Sequence, residues 1–302
     1  MDGPKTLMEF MDKYKTEEDC RRALLAQRWP QGFVCPRCSG RHAYPIKRHL
    51  LFECSACGYQ ASLTAGTVLQ GTRVDLRKWL LAIYLLAATK KTLSSAELAR
   101  QLDIAPQTAW TMRHKIMHAM ARREEEPSLL GLVEMDESYL GGKKPGKRGR
   151  GAQGKTPVAV MAERSRAGGL SLAHMQVVTD VGGLCLSRAA AGAILAGSTI
   201  MTDGLSSYRG LSALGYVHEP RVQESPGDAV LFLPWVHLVV SNFKRWILDI
   251  FHGVSPKHLQ SYLDEFCYRL NRRYARTDLF RRIVNRCVRF TGPLTYAQLT
   301  AS

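Results

Sequence analysis

The chain of 302 residues lacks a hydrophobic run long enough to cross a membrane. Its longest apolar run, residues 79–88, has ten residues, whereas a membrane-spanning helix needs about 20. The first residues also lack the basic-then-apolar pattern of a secretory signal. These absences argue against a membrane or secreted protein, and we expect a cytoplasmic one.

Acidic residues are also scarce relative to basic ones. The chain has 26 Asp and Glu against 42 Lys and Arg, a formal net charge of +16. Such an excess favours a polyanionic partner, with nucleic acid as the first candidate and an anionic membrane surface as the second. We find no internal repeat, and residues 141–155, rich in glycine and lysine, come nearest to low complexity.

Four of the eight cysteines form two C-x2-C pairs that are separated by fifteen residues: Cys35, Cys38, Cys54 and Cys57. In an intracellular protein this spacing predicts a zinc ribbon rather than disulfides. Four thiolates would close a tetrahedral structural site around one Zn²⁺. We expect positive φ at Gly40 and Gly58, which follow the two pairs. The alternative is four free buried cysteines, and core packing is favoured for the remaining four.

A helical module follows the cysteine pairs. Apolar spacing predicts a helix from Asp75 to Ala88, a second starting at Ser94, and a third opening at Pro106. A short helix, a tight turn and a longer polar-faced helix are typical of a helix-turn-helix that enters the major groove. The candidate DNA contacts on the third helix are Gln107, Thr108, Thr111, His114 and Lys115. The alternative is a plain solvated face.

The second half predicts an α/β fold. Residues 131–142 indicate a strand that ends near Asp136, followed by strands at 156–164 and 170–178 and a helix at 186–197. A short strand then ends at Asp203, and a helix covers residues 235–251. This order is that of an RNase-H-like mixed sheet. We therefore expect domains at residues 1–65 (N-terminal helix and zinc ribbon), 66–124 (helix-turn-helix) and 125–302 (catalytic core with basic C-terminal helices).

In that arrangement two neighbouring parallel strands bring Asp136 and Asp203 together. Paired carboxylates suit Mg²⁺, a hard cation that prefers oxygen ligands. Two such ions can clamp the attacking and leaving oxygens of a phosphoryl displacement. Each aspartate also has a structural alternative as a turn residue at a strand end.

The chain resembles the DDE-type transposases of bacterial insertion sequences that carry an N-terminal zinc ribbon (ISXO-type), relatives of the eukaryotic Merlin transposases. The resemblance spans about residues 15–290 and rests on these segments: CPRC, CSAC, VEMDESYLGG, MTDGLSSY, HLVVSNFKRW and HGVSPKHLQSYLDEFCYRLNRR. It implies a bacterial, nucleoid-associated protein.

The resemblance implies Asp136 and Asp203 as the first two magnesium ligands. The third ligand in most members is a glutamate five residues after a histidine. Here that histidine is His237 and the fifth residue is Asn242, as in a related Asp-Asp-Asn branch. An asparagine oxygen is a neutral donor to Mg²⁺. The alternatives are an Asn242 that bonds nearby backbone, or Asp249, Asp264 or Glu265 as the third ligand.

Basic residues near these motifs are candidates for phosphate contacts, which provide affinity without sequence reading. They are Lys143, Lys144, Lys147 and Arg148 in the glycine-rich segment, Lys244 and Arg245 after Asn242, and Arg272 and Arg273 near the C-terminus. The glycine-rich segment has the alternative of a solvated hairpin tip.

The sequence thus predicts a transposase that binds the terminal inverted repeats of its element as double-stranded DNA. It would cut a phosphodiester with Mg²⁺ or Mn²⁺ and join the freed 3′-hydroxyl to target DNA, as a dimer or higher oligomer. The alternative is a catalytically inactive DNA-binding regulator derived from a transposase. A stand-alone RNase-H-like nuclease would leave the N-terminal modules unexplained.

Overall fold

The computed structural model describes residues 3–46, 51–89, 91–121, 128–141, 154–222, 232–251, 253–290 and 292–301. The chain forms two compact units. The first unit combines Met1–Arg122 with Tyr274–Ser302, and the second unit is Arg123–Arg273. The sequence placed the whole C-terminal segment in the catalytic domain, whereas residues from Tyr274 onwards fold with the first unit. Within the described ranges, no helix has both the length and the apolarity that a membrane crossing requires.

The first unit begins with two capped helices, α1 (Leu7–Lys13) and α2 (Glu17–Arg28). Thr16 and Asp19 form a reciprocal capping box at the start of α2, which satisfies two N–H groups that a helix end leaves open. The predicted short strands follow as β1 (Ala43–Ile46), β2 (Leu51–Cys54) and β3 (Gln60–Ser62). They form one antiparallel sheet in the order β1-β2-β3.

The three predicted helices of the helical module are present as α3 (Leu76–Ala88), α4 (Ser95–Leu102) and α5 (Pro106–Met120). The Ser94 hydroxyl accepts a bond from the Glu97 N–H at the start of α4. Asp103 adopts the left-handed conformation, with φ 49°, and so makes the tight turn between α4 and α5. The inward stripe of α5 is buried as its spacing predicts: Ala109, Met112, Ile116 and Met120.

A five-stranded mixed sheet forms the centre of the second unit. Its strands are β4 (Leu132–Leu140), β5 (Thr156–Arg164), β6 (Leu170–Val177), β7 (Thr199–Thr202) and β8 (Val217–Pro220), in the order β6-β5-β4-β7-β8. The first three strands pair antiparallel, and β7 pairs parallel with both β4 and β8. The predicted α/β fold with an RNase-H-like mixed sheet is confirmed.

Two boundaries in this unit differ from the sequence prediction. Strand β4 continues to Leu140 instead of ending near Asp136, because its second half pairs with β5 as far as Thr156. Helix α6 spans Gly183–Ala191 instead of residues 186–197. The glycine at 192 caps it, and the chain then leads into β7.

The two faces of the sheet have different partners. Val133 and Met135 of β4 point into an apolar cluster with α6 and the 3₁₀ helix Ser206–Leu214. The intervening residues of β4 point to the opposite face, since side chains alternate along a strand. That face meets α7 (Pro234–Phe251), which packs on β4 and β5, and α8 (Leu259–Leu270) packs on β6.

The C-terminal segment completes the first unit. It contains α9 (Leu279–Asn285), a π-helical turn at Arg286–Phe290 and α10 (Tyr296–Ala301). Phe280 joins an aromatic cluster with Phe10, Tyr14 and Tyr84, at ring distances of 5.9 to 6.3 Å. The buried Arg286 guanidinium donates to the Met120 carbonyl at the end of α5. These contacts explain why the segment belongs to the first unit.

We predict that Phe280→Ala destabilises the first unit by about 3–5 kcal/mol, the cost of removing a large aromatic side chain from a packed core. Chemical denaturation followed by tryptophan fluorescence measures the loss. Met8→Ala is the control, because Met8 belongs to the same unit but is 71% exposed. Equal effects of the two substitutions would show that the C-terminal segment does not stabilise the unit.

Candidate functional site

The four paired cysteines converge in the first unit. Their sulfur atoms all lie within 4.8 Å of one another. The Cys35 and Cys57 sulfurs are 3.7 Å apart, and the Cys38 and Cys54 sulfurs are 3.6 Å apart. Zinc–sulfur bonds of about 2.3 Å in a tetrahedron require sulfur atoms about 3.8 Å apart. The geometry therefore fits one structural Zn²⁺ with four thiolate ligands.

The turns behind the sulfurs differ in one detail from the prediction. Gly58 has the expected positive φ of 67°, but in the first turn this conformation belongs to Ser39, with φ 60°, and not to Gly40. Gly40 is instead required by close packing, since a Cβ there would lie 3.1 Å from the Cys54 sulfur. The glycine thus leaves room for the ligands themselves.

Asp136 lies on β4, and Asp203 directly follows β7, the strand that pairs parallel with β4. The pairing of β4 with β7 runs from Leu132 opposite Thr199 to Glu134 opposite Met201. Continued by two residues, this register brings Asp136 level with Asp203. Adjacent strands lie about 4.8 Å apart, and both side chains are half-buried. A continuation of this register would place both carboxylates at one end of the sheet, on the face that α7 covers.

Both aspartates also make local bonds. The Asp136 Oδ1 atom accepts from the Glu137 N–H at 2.8 Å, and the Asp203 Oδ1 atom accepts from the Leu205 N–H at 3.1 Å. The second bond is the turn role that the sequence left open for Asp203. These bonds orient each carboxylate at the end of its paired segment.

Tyr208 interacts with the carboxylates at this edge of the sheet. Its hydroxyl donates to the Glu137 carboxylate at 2.8 Å. Burial raises the pKa of Tyr208 well above its ordinary value, and the Glu137, Asp136 and Asp203 carboxylates raise this pKa further. The phenol therefore stays protonated and keeps donating. A cation at the aspartates would offset the same accumulated charge.

A buried carboxylate that the sequence did not single out anchors α7 to the sheet. Glu134 is fully buried and lies two residues before Asp136, on the same face. One of its oxygens accepts from the Trp235 and Val236 N–H groups at 2.8 and 3.1 Å, and the other accepts from Arg164 at 2.7 Å. The carboxylate thus caps the first turn of α7, where helix ends favour negative charge. The available signal was an acidic residue inside an apolar strand, in phase with Asp136.

Asn242 lies in the middle of the helix that Glu134 anchors. It is half-buried and follows the buried stripe of Val239 and Phe243. The helix packs on β4 and β5, so the position of Asn242 is compatible with a role as third ligand. That role stays a prediction.

The alternative candidates for the third ligand differ in burial and in hydrogen bonding. Asp249 is exposed on the same helix. Asp264 accepts from Gln260, whose side chain also bonds the backbone of β6 at Val177. Glu265 is fully buried on α8. Asp264 thus has a supporting role in attaching α8 to the sheet.

The predicted DNA contacts on α5 differ in exposure. Gln107 is exposed, and Thr108 and Thr111 are half-buried. His114 and Lys115 are buried instead, with exposed fractions of 3% and 9%. The reason is that α9, α10 and the π-helical turn pack on α5 from a second side, which local sequence spacing cannot show.

The basic candidates divide in a similar way. Lys244 and Arg245 are exposed on α7, and partial burial of its stem together with nearby Lys155 lowers the pKa of Lys244. The Arg272 guanidinium stacks on Tyr268 at 3.9 Å. The Arg273 guanidinium donates to the carbonyls of Leu170, Ser171 and Leu270. Arg273 therefore supports β6, whatever contact it makes to DNA. Lys143, Lys144, Lys147 and Arg148 lie outside the described residues.

Comparison with known families identifies two domains. Residues 128–271 match the ISXO2-like transposase domain, and residues 15–60 match the transposase zinc-ribbon domain. The chain is therefore similar to a transposase domain in residues 128–271 and to a transposase zinc ribbon in residues 15–60. The first match contains Asp136, Asp203 and Asn242, and the second contains all four paired cysteines.

A similar curated protein is an uncharacterized protein in transposable element ISH50 of Halobacterium salinarum. It is 28% identical over 276 residues, which cover 83% of this chain and 91% of that protein. Among solved structures, a pre-cleavage Mos1 transpososome is 14% identical, with a TM-score of 0.29, over 70% of this chain and 78% of that one. A Mos1 mariner paired-end complex with Mn is 16% identical, with a TM-score of 0.28, over 66% and 76%.

We predict that the purified protein contains one zinc per chain, and that Cys38→Ser or Cys57→Ser removes it. The cysteine-rich segment has few apolar residues to bury, so metal binding supplies much of its folding free energy. Elemental analysis measures the metal, and limited proteolysis follows the segment. Cys185→Ser, outside the cluster, is the control. Full zinc retention in both cluster variants would contradict the assignment.

We predict that Glu134→Gln loosens the start of α7. The change leaves buried donors without a charged acceptor, and we expect it to lower the free energy of unfolding by about 1–3 kcal/mol. Urea unfolding of the second unit measures this. The control is Glu219→Gln, because the Glu219–Arg221 pair is exposed, and such pairs contribute about 0–1 kcal/mol. Equal stability of Glu134→Gln and the wild type would contradict the anchoring role.

Proposed function

We propose that this chain, which carries an ISXO2-like transposase domain behind a transposase zinc ribbon, cuts DNA at the ends of a mobile element and joins those ends to target DNA. The observation that carries the proposal is the position of Asp136 on β4 and of Asp203 directly after β7, two residues beyond the parallel pairing of these strands. Paired carboxylates at the carboxyl end of a mixed sheet suit metal-assisted phosphoryl transfer.

The donor set suits Mg²⁺ or Mn²⁺. Asp136 and Asp203 would provide charged oxygen ligands, and Asn242 would provide a neutral one. When bound, two such ions stabilise the attacking and leaving oxygens of the displacement. An asparagine in place of a third carboxylate leaves the site one negative charge weaker, and a phosphate of the DNA would supply part of the missing charge.

The protein's own contribution to the chemistry is orientation. Asp136 and Asp203 are held by strand pairing and by their local backbone bonds. Glu134 fixes the first turn of the helix that bears Asn242. A site built on strands and an anchored helix loses little orientational freedom when the DNA binds.

The first unit would select the DNA. A helix-turn-helix reads base edges from the start of its second helix, which here presents Gln107, Thr108 and Thr111. Exposed basic residues of the chain, among them Lys244 and Arg245, would contact phosphates without reading sequence. Two element ends must be joined in one reaction, so we expect a dimer or higher oligomer on DNA.

A DNA-binding regulator that has lost cleavage is the second candidate, and the neutral Asn242 is the observation that favours it. The two candidates differ in one measurable property. A regulator would bind element ends without cutting them at any metal concentration.

We predict metal-dependent cleavage at the 3′ ends of the element when the protein is incubated with end DNA and Mg²⁺ or Mn²⁺. Asp136→Ala and Asp203→Ala should abolish it. Asn242→Ala should reduce it by more than the ~10–100-fold typical of losing a residue that only supports a ligand. Sequencing gels measure the cuts, and electrophoretic mobility shifts measure binding, which all three variants should retain.

Asp249→Ala is the matched control, because Asp249 is an exposed carboxylate on the helix that bears Asn242. It should cut at the wild-type rate. Cleavage that survives Asn242→Ala but not Asp249→Ala would transfer the third-ligand role to Asp249. Binding without any cleavage by the wild type would favour the regulator.

A further inference from the structure

A cavity in the first unit lies beside the start of α5. It has a volume of about 420 Å³ and is formed by the turn at residues 71–74, the first half of α5 and Tyr296 of α10. Its polar and charged lining includes Thr72, Arg73, Gln107, Thr111 and Lys115. None of the lining residues that the structure describes is acidic. The cavity is thus a basic recess next to the residues proposed to read DNA.

Lys115 is the unusual member of this lining. Its side chain is only 9% exposed. Within the described chain, no carboxylate or carbonyl forms an ion pair or hydrogen bond with its ammonium group. Burial lowers the pKa of Lys115, which reflects the cost of holding this charge away from water. Lysines are rarely this buried without a paired anion, and an anionic ligand in the cavity would provide one.

The start of α5 adds donors to the same recess. Its capping residue, Ala105, makes no side-chain bond to the helix, and Pro106 has no N–H to offer. Gln107 and Thr108, in the first turn, both line the cavity. First-turn N–H groups lack partners within the helix and favour anions. Arg73 adds a second, exposed cation to the lining.

We propose that this cavity binds one phosphate group of the DNA backbone, with Lys115 as the buried counter-charge and the first turn of α5 as hydrogen-bond donors. The inference rests on the proposed DNA binding and deepens it. A phosphate matches both the positive lining and the free helix end. The backbone is the favoured source, because the same turn of α5 carries the residues proposed to contact bases. Such a contact would fix how deeply α5 enters the groove.

The test replaces single phosphates of an element-end duplex by neutral methylphosphonates, and measures binding by full-length wild type and Lys115→Met. At one position the methylphosphonate should weaken wild-type binding by about tenfold or more, the cost of losing a charge-assisted bond. The same methylphosphonate should have little effect on Lys115→Met. The salt dependence of Lys115→Met should also fall by about 0.9 in log–log slope, equivalent to one phosphate contact.

Lys15→Met is the matched control, since it removes the same charge from an exposed lysine of the same unit that pairs with Asp12. It should show the wild-type methylphosphonate pattern. Lys115→Arg keeps the charge and should restore part of the coupling. Because methionine suits a buried position, the thermal stability of Lys115→Met should match or exceed that of the wild type. If Lys115→Met does not fold, the coupling to the methylphosphonate is measured with Arg73→Gln instead.

The phosphate site would be wrong, with DNA binding left intact, if the wild type binds the duplex but the effects of Lys115→Met and of the methylphosphonate on the binding free energy are additive at every position. Failure of the wild type to bind any duplex would overturn the proposed function and this site together. Inorganic phosphate tests whether the cavity binds free phosphate instead of a phosphate of the DNA backbone. If it stabilises the wild type but not Lys115→Met against heat, while DNA coupling is absent, the cavity binds a free phosphate and the backbone assignment is wrong.

Discussion

The bond between Glu134 and the first turn of α7 is the constraint on which the candidate active site depends. One buried carboxylate joins the central strand, the covering helix and Arg164. Without it, the parallel pairing of β4 and β7 would remain, but the first turn of α7 would lose its bonds to the central strand. The register of Asn242 against the two aspartates follows from that starting point. A residue outside the proposed ligand set would thus set the geometry of the residues within that set.

The cysteine-rich segment of the first unit has little hydrophobic core and needs another source of stability. Residues 35–62 form a small sheet and two turns, and four sulfurs fit one zinc ion behind it. The helices of the same unit are stabilised by burial instead, including the aromatic cluster around Phe280. Metal binding and hydrophobic packing therefore stabilise adjacent parts of one compact unit by separate means.

The packing of the C-terminal segment has a functional consequence for α5. Helices α9 and α10 both pack on α5, with Tyr296 of α10 against Trp110, and they leave Gln107 exposed at the start of α5. This packing leaves the start of α5, the part with which a helix-turn-helix contacts bases, available for the proposed DNA contacts. It also creates the recess that contains Lys115. The same contacts that stabilise the unit thus define which part of α5 is available for the proposed DNA contact.

The sequence by itself determined the elements and motifs whose signals are local. The C-x2-C pairs, the apolar spacing of α5 and the order of strands and helices that gives an RNase-H-like sheet are all confirmed. Helix and strand periods, turn residues and ligand spacing are short-range properties, so they can be found in one sequence. Only the tertiary structure decided the capping role of Glu134, the burial of His114 and Lys115, and the attachment of residues 274–302 to the first unit. Each of these depends on contacts between residues that are far apart in sequence, as with Arg286 and Met120, and no local pattern encodes which distant surface will cover a given face.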